Sequence, residues 1–365
     1  MYRCRIVIFL LTLGFTGWLT VTATPARGAD ESPTHGADVY KTNCAVCHGS
    51  NGVPDAALAQ SLGVMPANFS DPLFNSREPL SDWKIVVTEG GPALGFSDKM
   101  PAFGETLSTQ DIDAVLTYIK TLAGNHDYPD GELNMLLPIR TKKAFPEDEW
   151  VWKQRYTSQD GDNAWKNTLE YEFRIGQRGQ GILEVTHEAV GSQSEFGHFE
   201  PGYKYVLNHD AAAGFILSAA AQVGVPLNRD ANWEFLPYLA FGKILSDAWT
   251  LQGSARLKLD LEDSDQSSAE LATVVHWVDA PQPRWVFPAL EMVAEVPFER
   301  GTGPDRKEAV QWSILPQARS GLNKRGNIAL NAGVELPLND RDRYNHRAYI
   351  YFIWDFADGG LLEGW

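Results

Sequence analysis

Trp249-Thr250-Leu251-Gln252-Gly253-Ser254-Ala255-Arg256-Leu257-Lys258-Leu259-Asp260-Leu261-Glu262 alternates without a break. Trp249, Leu251, Gly253, Ala255, Leu257, Leu259 and Leu261 share one parity; Thr250, Gln252, Ser254, Arg256, Lys258, Asp260 and Glu262 share the other. Successive side chains of an extended chain point to opposite sides, so a period of two marks a strand with one apolar and one polar face. The pattern returns at 327–338, where Ile328, Leu330, Ala332, Val334, Leu336 and Leu338 align. It returns again at 348–356, with Ala348, Ile350, Phe352, Trp354 and Phe356 opposite Tyr349, Tyr351, Ile353 and Asp355. Similar segments lie near 149–157, 168–176, 182–190, 202–208, 214–226, 234–244, 269–278, 285–298 and 309–317, which makes roughly twelve strands.

Many alternating strands suit a soluble β-sandwich or a transmembrane barrel. Strands of about ten residues match a tilted membrane crossing. The polar faces carry both signs of charge, as in Glu170, Glu172 and Arg174. Trp150, Trp152, Trp233, Trp249, Trp277, Trp285, Trp312 and Trp354 fall at strand ends, where an interfacial aromatic girdle belongs. The polar loops 262–268 and 299–307 suit a solvent side, and the strand count is even, as in bacterial barrels. Residues 147–365 therefore read as an antiparallel β-barrel of about twelve strands, of outer-membrane type, with a sandwich as the alternative. The lumen of such a barrel is narrow and is expected to be filled largely by its own polar side chains.

Upstream, the texture is helical. Cys44-Ala45-Val46-Cys47-His48 is a Cys-x-x-Cys-His motif, which reads as a haem c attachment site. Its spacing suits two thiols adding to the two porphyrin vinyl groups, with the adjacent His48 as proximal ligand to the iron. A thioredoxin-like redox pair would need a surrounding βαβ pattern, and a zinc site a second ligand pair nearby; neither is present in the sequence. Ser108 to Leu122 is an amphipathic helix: Ser108 is a fitting N-cap with Asp111 three residues on, and Ile112, Val115, Tyr118, Ile119 and Leu122 form the apolar stripe.

With the attachment motif and this final helix in place, the stretch from Gly36 to Leu122 resembles class I cytochrome c domains. The resemblance implies N- and C-terminal helices crossing beside one covalent haem c. It also implies a distal Met ligand shortly before the last helix, which falls on Met100 in Met100-Pro101-Ala102-Phe103-Gly104. Met65, in Gly63-Val64-Met65-Pro66, is the competitor, with a shorter path from His48. A His/Met pair raises the iron potential and fills both axial positions, which favours outer-sphere electron transfer over oxygen or peroxide chemistry. His35 and His126 read as exposed loop residues.

Phe199-Glu200-Pro201-Gly202-Tyr203-Lys204-Tyr205-Val206-Leu207 and Ala221-Gln222-Val223-Gly224-Val225-Pro226-Leu227 resemble segments of a family of outer-membrane barrels. Tyr351-Phe352-Ile353-Trp354-Asp355-Phe356 looks like the last strand of such proteins, although a tail, 357–365, follows it. The whole chain resembles the fused cytochrome–porins of iron-oxidising bacteria in architecture.

Arg3 and Arg5, the apolar run Ile6 to Thr20, and Val21-Thr22-Ala23 read as a cleaved secretory signal peptide. The organisation expected is thus a signal peptide (1–23), a cytochrome c domain (30–124), a linker (125–146) and a barrel (147–365). The linker holds Asp127, Pro129, Asp130 and Gly131, then the basic run Arg140-Thr141-Lys142-Lys143. The chain has 365 residues, 44% of them hydrophobic, enough for a packed core. A net charge of -16 argues against nucleic acid, whose phosphates need clustered Lys and Arg. His187, His198, His209 and His276 are dispersed, without metal-ligand spacing, and no nucleophile triad or phosphate loop is present in the sequence.

The function expected is haem c electron transfer by an outer-membrane protein whose cytochrome domain lies in the periplasm or the barrel mouth. Its partners would be redox proteins such as periplasmic cytochromes, together with membrane lipid and an extracellular or membrane-associated donor or acceptor. It is read as an electron carrier rather than an enzyme. The alternatives are a transport barrel with a redox-linked plug and a soluble cytochrome with a β-sandwich partner.

Overall fold

A computed structural model describes residues 33–279, 285–298, 310–339 and 343–364. The expected signal peptide, the loop 299–307 and Trp365 lie outside the described residues.

The N-terminal domain is helical: α1 (Pro33–Asn43), α2 (Ala45–His48), α3 (Ala56–Leu62), α4 (Pro72–Arg77), α5 (Leu80–Glu89) and α6 (Thr109–Thr121). Helix α6 starts where its capping chemistry dictates. The Ser108 hydroxyl accepts from the Asp111 amide at 3.1 Å, and the Asp111 carboxylate accepts from the Ser108 amide at 2.9 Å. Its apolar stripe is buried: Ile112, Val115, Leu116 and Ile119 pack with Val39 and Tyr40 of α1 and Trp83 and Val87 of α5. Burying such side chains stabilises by about 1.5–3 kcal/mol each. Helices α1 and α6 cross so closely at Gly36 that a Cβ there would collide with the Ala114 carbonyl. His35 lies within α1 and pairs with Asp111 at 2.8 Å, so it is a helix residue rather than a loop one.

The second part is a closed antiparallel barrel of twelve strands: β1 (Glu149–Ser158), β2 (Ala164–Ile175), β3 (Gly179–Val190), β4 (Gln193–Asp210), β5 (Phe215–Pro226), β6 (Glu234–Ser246), β7 (Trp249–Asp260), β8 (Ser268–Trp277), β9 (Val286–Pro297), β10 (Gln311–Gly321), β11 (Ile328–Pro337) and β12 (His346–Asp355). Each strand pairs with its sequence neighbours, and β1 closes on β12 from Glu149↔Asp355 to Ser158↔His346. Closure leaves no edge with unpaired backbone groups. Several strands have 12 residues; at ~3.3 Å per residue and a tilt near 40° such a strand rises about 30 Å, the thickness of a bilayer core. The connections at the end where β1 begins (176–178, 211–214, 247–248, 278–285, 322–327) are mostly shorter than those at the far end (159–163, 191–192, 227–233, 261–267, 298–310, 338–345).

The alternation points the unusual way round. Apolar residues face outward: Trp152 is 49% exposed and Leu271 61%. Carboxylates face inward: Glu291 is 0% exposed and Glu335 1%. A water-soluble sandwich would bury the apolar parity instead, and this inversion is the physical ground on which the sandwich alternative falls. Trp150, Trp249, Trp285 and Trp354 ring the end where β1 begins, and Trp165, Trp233 and Trp312 the other.

The lumen, expected to be filled largely by its own polar side chains, is shared with them by the segment between the domains. The segment between the domains enters it from the end where β1 begins and turns back at Arg140–Lys142. Leu133, Ala144 and Phe145 pack against Val206, Ile216 and Tyr238 of the wall. Ile139 packs against Leu315, Tyr349 and Tyr351. Arg140 of this stretch meets the wall carboxylates Glu270, Glu291 and Glu335.

Candidate functional site

Cys44 and Cys47 are three residues apart and His48 is four from Cys44, so one turn of helix carries all three on one face. The turn is well formed: the Cys47 and His48 amides donate to the Cys44 carbonyl at 3.1 and 3.0 Å, and the Tyr40 hydroxyl donates to the Gly49 carbonyl at 2.7 Å. Gly49 leaves the helix at φ +78, a conformation that suits glycine and turns the chain away behind His48. Both cysteines are free. Burial, with Cys47 beside it, pushes the Cys44 thiol up to about 11.

The His48 ring is held from two sides. Its Nδ1 lies 3.0 Å from the Ala67 carbonyl, and its plane stacks on Phe69 at 4.5 Å. A carbonyl partner assigns the proton to Nδ1 and leaves Nε2 with its lone pair. Burial holds this imidazole below the ordinary histidine value, against the opposing pull of the Ala67 carbonyl. A neutral, oriented imidazole beside two free thiols on one helix face is a donor set that fits haem c.

Met100 sits on the loop between α5 and α6, with its carbonyl accepting from the Gly91 amide at 3.0 Å. It packs against the same buried cluster as Cys44 and Phe103. Met65 is 64% exposed, away from that cluster. Among the sequence-derived residues, the structure thus brings Cys44 and Met100 onto a common core and leaves Met65 outside it. His126 stands beside Tyr128, and its Nδ1 is buried without a partner among the described residues.

The helical domain meets the barrel at the end where β1 begins. Arg325, on the β10–β11 turn, donates to the Gly95 carbonyl at 2.9 Å and lies 4.4 Å over the Phe96 ring. Arg77 pairs with Asp358 of the tail at 3.4 Å, and Asp127 pairs with Arg178 at 2.5 Å. Burial pushes Glu78 up, and burial together with Glu78 pushes Asp358 well up.

Inside the barrel, wall side chains donate to the backbone of the inserted segment: Gln252 to Leu136 at 2.8 Å, Asn331 to Leu137 at 2.8 Å, Tyr351 to Ile139 at 2.8 Å and Ser218 to Ala144 at 2.6 Å. These bonds satisfy carbonyls that would otherwise be orphaned in the lumen. Arg140 sits at the tip. Its guanidinium pairs with Glu335 at 3.0 Å and with Glu270, and its amide donates to Glu291 at 3.1 Å. Beyond the tip a cavity of about 360 Å³ remains, lined by carboxylates and cations including Glu184, Glu200, Glu234, Lys153 and Arg256. Sequence reasoning missed the Arg140 cluster; its signal was the basic run at 140–143 facing inward-parity glutamates such as Glu270.

A helical domain of this kind joined through a lumen-inserted segment to a closed barrel defines the class of fused cytochrome–barrel proteins. The family described as "Cytochrome C oxidase, cbb3-type, subunit III" matches residues 31–119. Cytochrome c6 of Picosynechococcus sp. is 38% identical over 125 residues, 33% of this chain and 97% of that protein. Through this domain the chain belongs to the cytochrome c family, whose members are electron carriers with haem c. The cytochrome c subunit of gluconate 2-dehydrogenase from Pantoea cypripedii is 35% identical over 101 residues, but these are 26% of this chain and 21% of that protein. Among solved structures, an outer membrane channel from Pseudomonas putida F1 aligns with TM-score 0.46 at 12% identity, covering 60% of this chain and 99% of its own. The NanC porin aligns with TM-score 0.42 at 10% identity, covering 56% and 98%.

Proposed function

We propose that this protein is an electron carrier fixed in the outer membrane by its barrel, with the cytochrome domain on the periplasmic face. The observation that carries the reading is the inverted barrel, apolar outside and charged inside, joined to a cytochrome domain packed on its short-turn end. Bacterial barrels keep their short turns in the periplasm. Export by a signal peptide at 1–23 belongs to the same reading.

Cys44 and Cys47 would attach one haem c covalently through thioethers. His48 Nε2 and the Met100 thioether would ligate its iron. Haem c supplies a one-electron couple at its iron. The Ala67 carbonyl orients His48 through Nδ1 and raises its basicity as a ligand. The loop bonds at Gly91 and Ser97 hold Met100 in place, and the Arg325 clamp on Gly95 and Phe96 ties this loop to the barrel. Electrons would pass between periplasmic cytochromes and a donor or acceptor at the membrane or outside the cell.

The inserted segment favours this carrier over an open porin, because it occupies the lumen that a solute would need. Membrane fractionation tests the proposal. Haem-loaded protein should appear in the outer-membrane fraction as a haem-stained band whose gel mobility changes on boiling. A haem band confined to the soluble periplasm, unaltered by heat, would overturn it.

A further inference from the structure

The His198 imidazole and the Glu200 and Glu234 carboxylates converge on the lumen wall toward the far end, their ligating atoms all within 4.8 Å of one another. His198 and Glu200 share the inward parity of β4, and Glu234 opens β6. Between them β5 carries Gly224, paired with Glu234. A Cβ on Gly224 would stand 2.9 Å from the Glu234 Cβ and 3.2 Å from the His198 ring. The missing side chain lets residues two strands apart meet.

Glu200 supplies the second observation. It is 9% exposed and has neither a hydrogen bond nor an ion pair among the described residues. A buried carboxylate without a partner is costly. Glu234 is matched by Lys258 at 2.7 Å, whereas Glu200 has no direct cation contact among the described residues, only the field of Lys142 and Lys166 across the cavity. His198 Nε2 lies 2.8 Å from the Asn232 carbonyl and 3.7 Å from Glu234.

We propose that His198, Glu200 and Glu234 bind a first-row divalent transition-metal cation, with the Asn232 carbonyl as a fourth donor. One imidazole with two carboxylates suits zinc, iron(II) or manganese(II) and disfavours magnesium, which prefers all-oxygen shells. Tetrahedral ligands at about 2.0–2.2 Å from a metal stand about 3.4 Å apart, so the three groups close by roughly an ångström on binding. Lys258, partly exposed, swings aside as the cation takes over Glu234. The lumen cavity, which Glu200, Glu234 and Lys258 line, is the route in. The site is independent of the haem and of the direction of electron flow.

Calorimetric titration of Zn²⁺ into the full-length, haem-loaded protein in detergent, purified without a histidine tag, tests the site. The expected result is one saturable site of micromolar affinity or tighter, weakened at least tenfold by His198→Ala and by Glu200→Gln. His187→Ala, whose ring takes the outward parity and bonds Ser194, should leave the affinity unchanged. Heat-dependent gel mobility establishes that each variant has a folded barrel. No saturable binding, a site that survives both substitutions, or displacement by equimolar Mg²⁺ would overturn the proposal.

Discussion

Met100 and Met65 are chemically the same residue in similar Met-Pro contexts, and packing separates them. Met100 shares a buried cluster with Cys44, whereas Met65 faces solvent. Replacing Met100 by His should lower the reduction potential, within the ~0.8 V range that axial ligands span, because thioether sulfur favours ferrous iron. Met65→Ala should leave it unchanged; protein-film voltammetry reads both. A pH effect belongs at the same scale. Glu78 and Asp358 meet at the junction of the two domains, both raised by burial. The stability that such raised carboxyls lend is complete in acid, below their ordinary values, and is lost as pH rises through the raised ones. The tail 357–364 should therefore show smaller hydrogen-exchange protection factors, corrected for the intrinsic pH dependence of exchange, at pH 8 than at pH 5, and Glu78→Gln should narrow that difference.

At the level of single elements, α6 and β9 obey opposite rules. Ile119 points into a protein core, so Ile119→Ala should destabilise the cytochrome domain by about 2–5 kcal/mol in urea unfolding. Ser108→Ala removes the capping box and should cost about 1 kcal/mol in the same assay. Leu290 points out of the barrel at mid-strand. On a soluble protein Leu290→Arg would be nearly neutral, whereas on a lipid-facing wall it should cost about 2–4 kcal/mol in a refolding assay in lipid vesicles. The helix and its cap were legible in the sequence because both depend on neighbours within four residues. The strands were legible because alternation is a property of one strand. The full extent of β4 was not: it runs from Gln193 to Asp210 with register shifts on both sides, beyond the 202–208 that alternation reveals.

The whole molecule is organised by contacts far apart in sequence. Arg140 reaches Glu335 across 195 positions, and Tyr351 reaches Ile139 across 212. Removing the Arg140 guanidinium leaves Glu270 and Glu335 buried with one cation fewer, a loss of about 3–5 kcal/mol for such a pair. Arg140→Ala should therefore loosen the inserted segment, and planar-bilayer recordings should register openings that the wild type lacks. By itself the sequence determined the attachment motif, the final helix with its cap and the number of strands, because each is written in a short window of spacing and parity. Only the tertiary structure decided between barrel and sandwich, what fills the lumen, how the cytochrome domain is clamped and that His198 meets Glu234. Those depend on closure of the sheet, which brings distant strands into register and makes charge burial favourable only when every partner arrives together.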